Sequence, residues 1–318
     1  MSGDTTFAWF RLFSTRGYGS VRVGNLINRA AVNGLEVADI FELDRSEFVK
    51  VFAPKGEEIY DTIHDQDLDD ISSEYYRLIS EGVEIIHRDH QRYPGRMKTL
   101  FLEQAPNMLF AKGDLNLFDC PGVSIVGSRD VDEKGLELAL QAARTAAETG
   151  YNVVSGYARG VDTAAHLGAL KSGGTTTMVL AYGLDHFRPK SILAEYPWEN
   201  DSLRVSQFHP RDPWKNSHGM IRNKVVVALS KAVIIITAGE KSGTINTANA
   251  ALKSGISLLV MSPGLFRQPP AGNVELIEKG AVEIDSLESL TSKLNEILTT
   301  HQDTSAADPS EKQGQLPL

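Results

Sequence analysis

The stretch VSIVGSRDVDEKG, residues 123–135, decides the fold of this chain. Its apolar start reads as a strand that is buried on both faces and ends at Gly127. The following residues have the apolar spacing of a helix, which Gly150 is expected to end. A strand that runs through Gly-Ser-Arg into a helix is typical of an anion site, yet Asp130 and Asp132 crowd this one. The sequence therefore raises the question of which anionic ligand, if any, binds at this turn.

The alternation of strand and helix recurs from residue 122 to residue 300. Strands that are apolar throughout are covered on both faces and pair in parallel through right-handed crossovers. The sequence therefore predicts an α/β fold with a doubly wound, mostly parallel Rossmann-like sheet. A ligand of such a sheet lies beyond the carboxyl ends of its strands.

Composition divides the chain into four predicted segments. They are a helical N-terminal domain at 1–75, a bridging segment at 76–121, the Rossmann-like core at 122–300, and a disordered polar tail at 301–318. Within the first segment, Gly17-Tyr18-Gly19 has the form of a helix-hairpin-helix turn, which holds a DNA phosphate on backbone N–H groups. A plain helical interaction domain with a glycine turn fits the same residues.

Charge is distributed unevenly along the chain. The net charge is −9, but residues 1–75 hold 7 Lys/Arg against 14 Asp/Glu, and the tail after residue 300 adds a further −2. Residues 76–300 are therefore neutral on balance, which leaves room for a local basic groove.

The sequence predicts a soluble cytoplasmic protein. Its single cysteine, Cys120, permits no disulfide within one chain, which indicates a reducing compartment. The first residues lack the pattern of a signal peptide. The apolar run at 225–238 is interrupted by Ser230 and Lys231 and is too short to cross a bilayer, so no membrane contact is expected.

Glycine and serine are frequent in the loops that leave the predicted strands. These loops are residues 127–130, 155–162, 181–185 and 238–244. Small residues let backbone N–H groups approach an anion, and helix N-termini add a favourable partial charge. Arg129, Arg159 and Lys241 supply full charges, and an arginine fork suits a phosphate diester.

Each loop also has a purely structural interpretation, because glycines close turns in any such fold. Asp130 with Glu133 matches a capping box, and Asp162 and Thr244 are candidate caps of the next helices. If the acidic residues bind the N–H groups at the helix starts, a phosphate would be held more by Ser128 and Arg129 than by the helix dipole. His166 is interpreted as a packed or orienting residue.

The known catalytic patterns are missing from the sequence. It contains no phosphate loop of the Gly-x-x-x-x-Gly-Lys-Ser/Thr type, no Gly-x-Ser-x-Gly elbow and no histidine pair at metal-ligand spacing. The glycine pattern also differs from the dinucleotide fingerprint. We therefore expect a protein that is not an enzyme and uses no cofactor or metal.

Three motifs resemble the DprA/Smf family of DNA-processing proteins. These are Gly-Ser-Arg at 127–129, SGYARGVDTAAHLGAL at 155–170 and Tyr-Gly-Leu-Asp at 182–185. Residues 93–114 and 221–264 also resemble family segments, and the helical N-terminus resembles the family's small helical domain. The similarity covers roughly residues 1–265.

The resemblance implies a Rossmann-like core that binds single-stranded DNA as a homodimer and loads a RecA-like recombinase during transformation. It implies the phosphate-binding residues Gly127, Ser128, Arg129, Ser155, Gly156, Arg159, Gly160, Arg222, Asn223, Lys224, Lys241, Ser242, Gly243 and Thr244. Tyr157, Tyr182 and Phe187 are the candidates for stacking on bases.

Two departures from the family pattern support other functions. Lys224 stands where the family has an arginine, and no C-terminal winged helix is expected. A divergent relative could serve in a DNA-sensing defence module, or as the antitoxin or regulator of an antiphage toxin, with the toxin as partner. A nucleotide sensor, or an enzyme like the phosphoribohydrolases, is a further alternative. Residues 239–248, GEKSGTINTA, nevertheless lack the glutamate that ends the phosphoribohydrolase motif.

Overall fold

Strands form where the sequence is continuously apolar. The structure is a computed structural model that describes residues 5–196, 198–240 and 242–305. Every residue of Gly122–Val126, Thr176–Leu180 and Ala232–Ile235 is buried, as strands covered on both faces require. The described strands are β1 (Glu84–His87), β2 (Met108–Gly113), β3 (Gly122–Val126), β4 (Asn152–Gly156), β5 (Thr176–Leu180), β6 (Ser202–Ser206), β7 (Ala232–Ile235), β8 (Ser257–Met261) and β9 (Val282–Ile284).

Helices alternate with the strands after β3 and dominate the chain before β1. They are α1 (Thr5–Phe13), α2 (Ser20–Val32), α3 (Arg45–Val51), α4 (Gly56–His64), α5 (Leu68–Ser80), α6 (Gly95–Phe101), α7 (Glu133–Glu148), α8 (Val161–Lys171), α9 (Asn216–Ala228), α10 (Gly243–Lys253), α11 (Ala271–Glu278) and α12 (Leu287–Ser305). Of the helices in the described ranges, none is both long enough and apolar enough to span a membrane.

The chain divides into two compact units. Unit 1 comprises the described residues of Met1–Asp119 together with Ser155–Tyr157 and Thr176–Leu229. Unit 2 comprises Cys120–Val154, Ala158–Thr175 and the described residues from Ser230 onward.

Unit 1 combines the N-terminal helices with strands of mixed direction. Here β2 pairs antiparallel with both β1 and β6, and β5 pairs parallel with β6. One apolar core joins the helices to these strands, with Trp9, Phe10 and Phe48 among its largest buried side chains.

Unit 2 is a parallel sheet with the order β4-β3-β7-β8-β9. Its core lies between β3, β7 and β8 and the helices α7, α8 and α12. Gly150, in the left-handed region at φ +90°, follows α7 and ends it as predicted. The predicted α/β class, the mostly parallel Rossmann-like sheet and the helical N-terminal region are confirmed.

Two predicted domain limits differ from the structure. The limit at residue 75 falls inside α5, because Tyr75 and Leu78 lie on one buried face and share a core with Ile85 of β1. The predicted tail begins too early, because α12 continues through residues 301–305. The remaining tail residues lie outside the described chain.

The turn between α1 and α2 carries the predicted helix-hairpin-helix glycines. Gly17 adopts φ +79°, and its carbonyl accepts a hydrogen bond from Arg22 Nη1 at 3.2 Å. The Tyr18 N–H donates to the Thr15 carbonyl at 3.0 Å, so this N–H is committed within the turn. A phosphate at this turn would have to use other backbone groups.

Helices α7 and α8 pack so closely that Gly168 cannot carry a side chain without a shift. A Cβ at Gly168 would lie 2.4 Å from the Leu140 carbonyl oxygen and 2.9 Å from Ala143 Cβ. We predict that Gly168→Ala lowers the free energy of unfolding by about 1–3 kcal/mol in thermal or urea melts, although alanine favours helices.

Gly24→Ala in α2 is the matched control, since its Cβ would meet only the Asn107 amide at an ordinary 3.5 Å. This variant is expected to gain about 0.5–1 kcal/mol. Equal effects of the two substitutions would contradict the close packing.

Candidate nucleic-acid interface

The loops after β3 and β4 meet at Gly160 in unit 2. Gly160 has φ +75°, and a Cβ there would lie 2.5 Å from the Ser128 carbonyl oxygen and 2.6 Å from that of Arg129. The Val161 N–H also donates to the Ser128 carbonyl at 3.3 Å. Only glycine permits this approach, because both the conformation and the space exclude a side chain. The Gly-Ser-Arg turn is thereby held against the start of α8.

The loop after β7 is joined to the same turn. The Ser128 N–H donates to Thr237 Oγ1 at 3.2 Å, and Thr237 lies two residues after the end of β7 at Ile235. Loops from β3, β4 and β7 therefore meet in unit 2. The fourth glycine-containing loop, residues 181–185, belongs to unit 1.

Asn273 of α11 supports the loop after β7, and sequence reasoning missed it. Its side chain is fully buried, accepts a hydrogen bond from the Ala238 N–H at 2.8 Å, and donates to the Ile236 and Met261 carbonyls at 2.9 Å. The sequence around Asn273 gives no signal for this role, because its three backbone partners lie far away in the chain, two in the loop after β7 and one at the end of β8.

The acidic residues after Arg129 are engaged within the protein. Asp132, not the predicted Asp130, is the N-cap of α7 and accepts from the Gly135 N–H at 2.9 Å. Asp130 lies two residues too early for that bond. It pairs instead with Arg159, with 2.8 Å between carboxylate oxygen and guanidinium nitrogen. Both side chains are exposed, so the pair contributes only about 0.2–1 kcal/mol.

The other two predicted caps are also wrong. Gly160 is the N-cap of α8, and Asp162 lies within the helix, where its carboxylate accepts from the Ala158 N–H at 3.3 Å. Ser242 is the N-cap of α10, since its hydroxyl accepts from the Ile245 N–H at 3.4 Å. Thr244 is buried at the second position of α10.

Arg129 is the most available cation of these loops. Its side chain is exposed and, within the described ranges, has neither a hydrogen bond nor an ion pair. Ser128 is less available, because its hydroxyl donates to the Asp130 carbonyl at 2.8 Å and its N–H is bonded to Thr237. Gly127 packs against Val161, where a Cβ would lie only 2.6 Å from a methyl group. Lys241 lies outside the described residues.

Other predicted site residues are buried. Ser155 is fully buried in β4, and Gly156 ends the same strand. His166 is fully buried in α8, as expected for a packed residue. Such positions can shape a site through the backbone, but their side chains do not reach solvent.

The three residues from α9 do not act as one exposed group. Arg222 is 6% exposed, whereas Asn223 and Lys224 are half-buried. Lys224 Nζ donates to the Gln104 side chain and lies 5.9 Å from the centre of the Phe101 ring. Their contact with phosphate remains a prediction.

Two of the predicted stacking residues, Tyr157 and Phe187, belong to an aromatic cluster in unit 1. Tyr157 is only 9% exposed, its ring centre lies 5.0 Å from that of Phe187, and its hydroxyl accepts from the Lys190 N–H at 2.9 Å. Burial raises the pKa of Tyr157, and it raises the pKa of Tyr182 to about 12. Tyr157 therefore has little ring surface for a base, and stacking remains a prediction for Tyr182 and Phe187.

Comparisons with known proteins agree on one family. The model of the family described as "DNA recombination-mediator protein A" matches residues 84–295. The DNA processing protein DprA of Bacillus subtilis is 31% identical over 219 residues, which are 68% of this chain and 73% of that protein.

Solved structures give the same result. The X-ray structure of DprA from Streptococcus pneumoniae has a TM-score of 0.75 and 25% identity, and the similarity covers 91% of this chain and 97% of that one. A structure of DprA from Helicobacter pylori, described as giving insight into the single-stranded DNA binding mode of that protein, has a TM-score of 0.58 and 29% identity. The similarity to this structure covers 70% of this chain and 96% of the Helicobacter pylori chain.

We predict that Asn273→Ala destabilises the protein by about 3 kcal/mol, because three buried backbone groups lose their partner. Urea unfolding followed by circular dichroism measures the change. Asn295→Ala, at an exposed position of α12, is the control and should change stability by less than about 0.5 kcal/mol. Equal stability of the two variants would show that Asn273 does not support the loop.

Proposed function

Because the chain belongs to the DNA recombination-mediator protein A family, the DprA/Smf family, we propose that it binds single-stranded DNA by its sugar-phosphate backbone. The observation that carries the proposal is the exposed Arg129, without an ion pair among the described residues, on a turn that Gly160 and Thr237 hold in place. Because the backbone of this turn is already ordered, binding a phosphate requires ordering of the Arg129 side chain alone. The Helicobacter pylori relative, for which a single-stranded DNA binding mode is described, supports the proposal.

In this proposal the protein binds the DNA strand mainly through electrostatic contacts with its phosphates. Arg129 contacts one phosphate, and Arg159 contacts a neighbouring phosphate after exchanging its bond to Asp130. An exposed ion pair costs little to exchange, because solvent already screens it. The net charge of −9 argues against broad nonspecific binding of a polyanion, so binding requires a local basic site.

We propose that the bound strand is not cleaved. In the phosphoribohydrolase motif a glutamate follows Gly-Thr by three residues, and here that position is Thr247. Thr247 is buried, and its hydroxyl donates to the Gly243 carbonyl at 3.0 Å. A buried threonine cannot serve as a general acid or base at neutral pH, which supports binding without chemistry.

The finer assignments rest on the family resemblance. They are a homodimer, the loading of a RecA-like recombinase, and the alternative role as antitoxin or regulator in a defence module. Each requires a surface outside the loops described above, and none changes the proposed contact with DNA.

We predict that Arg129→Ala and Arg159→Ala each weaken the binding of a fluorescent oligo(dT) roughly tenfold, the equivalent of about 1.4 kcal/mol. Each should also reduce the slope of log K against log salt by about 0.7, since one phosphate contact is lost from a single strand. Fluorescence anisotropy across a salt series measures both quantities.

Arg144→Ala is the matched control. Arg144 is exposed on α7 of the same unit and pairs with Glu148, so its loss should change neither affinity nor slope. An Arg129→Ala protein with the affinity and salt slope of the unchanged chain would contradict the site.

Asp130 competes with DNA for Arg159. We predict that Asp130→Asn tightens oligo(dT) binding, up to about fivefold, because an exposed ion pair of about 0.2–1 kcal/mol no longer has to be exchanged. Glu148→Gln, which frees Arg144 instead, is the control and should leave affinity unchanged. Weaker binding by Asp130→Asn would indicate that the pair shapes the site rather than blocks it.

A further inference from the structure

Unit 1 contains a cavity of about 330 Å³ that the proposed DNA contact does not use. Charged side chains dominate its wall, which includes Arg77, Glu81, Lys112, Asp185 and Arg204. Phe187 adds an aromatic ring. The volume lies at the lower end of the range for small-molecule sites, which suits one nucleotide better than a dinucleotide.

Arg204 is a half-buried cation without a direct ion pair among the described residues. Its Nε donates to the Lys112 carbonyl at 3.2 Å, and within those residues the guanidinium has no other hydrogen bond. The guanidinium carbon lies 5.6 Å from the centre of the Phe187 ring and 5.1 Å from that of Trp198. Burial lowers the pKa of Arg204, and the negative charge of Glu199 offsets only part of that effect. A bound anion would stabilise this incompletely hydrated charge.

The two carboxylates of the wall both pair with the same guanidinium. Arg77 pairs with Asp185 at 2.8 Å and with Glu81 at 2.9 Å. With three cations and two carboxylates the wall has a net charge of +1, and Lys112 and Arg204 are its cations without an ion pair among the described residues. An anion between these two side chains would contact the ammonium group of Lys112 and the planar guanidinium of Arg204. Both groups are common phosphate ligands.

The rest of the wall fits the remainder of a nucleotide. A partly exposed ring at Phe187 offers a surface for a planar base. Carboxylate oxygens of Asp185 and Glu81 are acceptors for sugar hydroxyls, as acidic residues are in dinucleotide sites. We propose that this cavity binds a free nucleoside monophosphate, with the phosphate at Lys112 and Arg204 and the base against Phe187.

The residues that line this cavity include neither Arg129 nor Arg159, so AMP binding is tested independently of the proposed phosphate contacts with DNA. Phe187 is the lining residue that is also a candidate for stacking on DNA bases. Calorimetry of the full chain with AMP should show saturable binding, and AMP should raise the melting temperature. Lys112→Gln should weaken AMP binding at least about tenfold, since a phosphate contact to a charged group is worth about 1.5–3 kcal/mol. Arg204→Lys keeps the charge but loses the fork, and it should also weaken binding.

Controls make each outcome decisive. Lys50→Gln, at an exposed position of α3, should bind AMP like the unchanged chain. Without ligand, Lys112→Gln should have the melting temperature of the unchanged chain, because Lys112 forms no ion pair within the described ranges. Weaker AMP binding by this variant would then not be a consequence of misfolding.

Four results would overturn the proposal. The first two are that AMP does not bind, or that Lys112→Gln binds AMP as tightly as the unchanged chain does. The third is that inorganic phosphate or adenosine binds with the same affinity as AMP. The fourth is that Arg129→Ala abolishes AMP binding and Lys112→Gln does not. The last result would place the nucleotide in the loops of unit 2.

Discussion

The contact of Gly160 with the carbonyls of Ser128 and Arg129 is the constraint on which the rest of unit 2 depends. It brings the start of α8 against the turn after β3, at a distance that no other residue permits. The bond from the Ser128 N–H to Thr237 adds the loop after β7. Loops that are far apart in sequence thereby become one rigid surface, and the exposed Arg129 stands on it.

Contacts within that surface explain how acidic residues can lie beside the proposed phosphate site. Asp132 is used to cap α7, and Asp130 is paired with Arg159, so neither carboxylate is left to repel a ligand at full strength. The exposed pair is weak enough to be exchanged for a phosphate. An acidic chain can therefore present a small basic site, because local contacts rather than the net charge decide what binds.

The alternation of apolar strands and helices was sufficient to predict the parallel sheet and the positions of the loops that follow its strands. Three features were beyond the sequence because they depend on distant contacts. The α5 boundary follows from a core that continues into β1, which local spacing does not reveal. Asn273 binds backbone groups of two distant segments, and the surroundings of Arg204 come from elsewhere in unit 1. Each of the three caps was misassigned by two positions, since more than one residue near a helix start can serve as its cap.

Hydrogen–deuterium exchange of the full chain, with and without saturating oligo(dT), tests the central claim most directly. The account predicts slower amide exchange in peptides that cover residues 127–131, 158–161 and 237–240, because a bound backbone shields one continuous surface. Protection confined to the N-terminal helices, with exchange in those three loops unchanged, would contradict it.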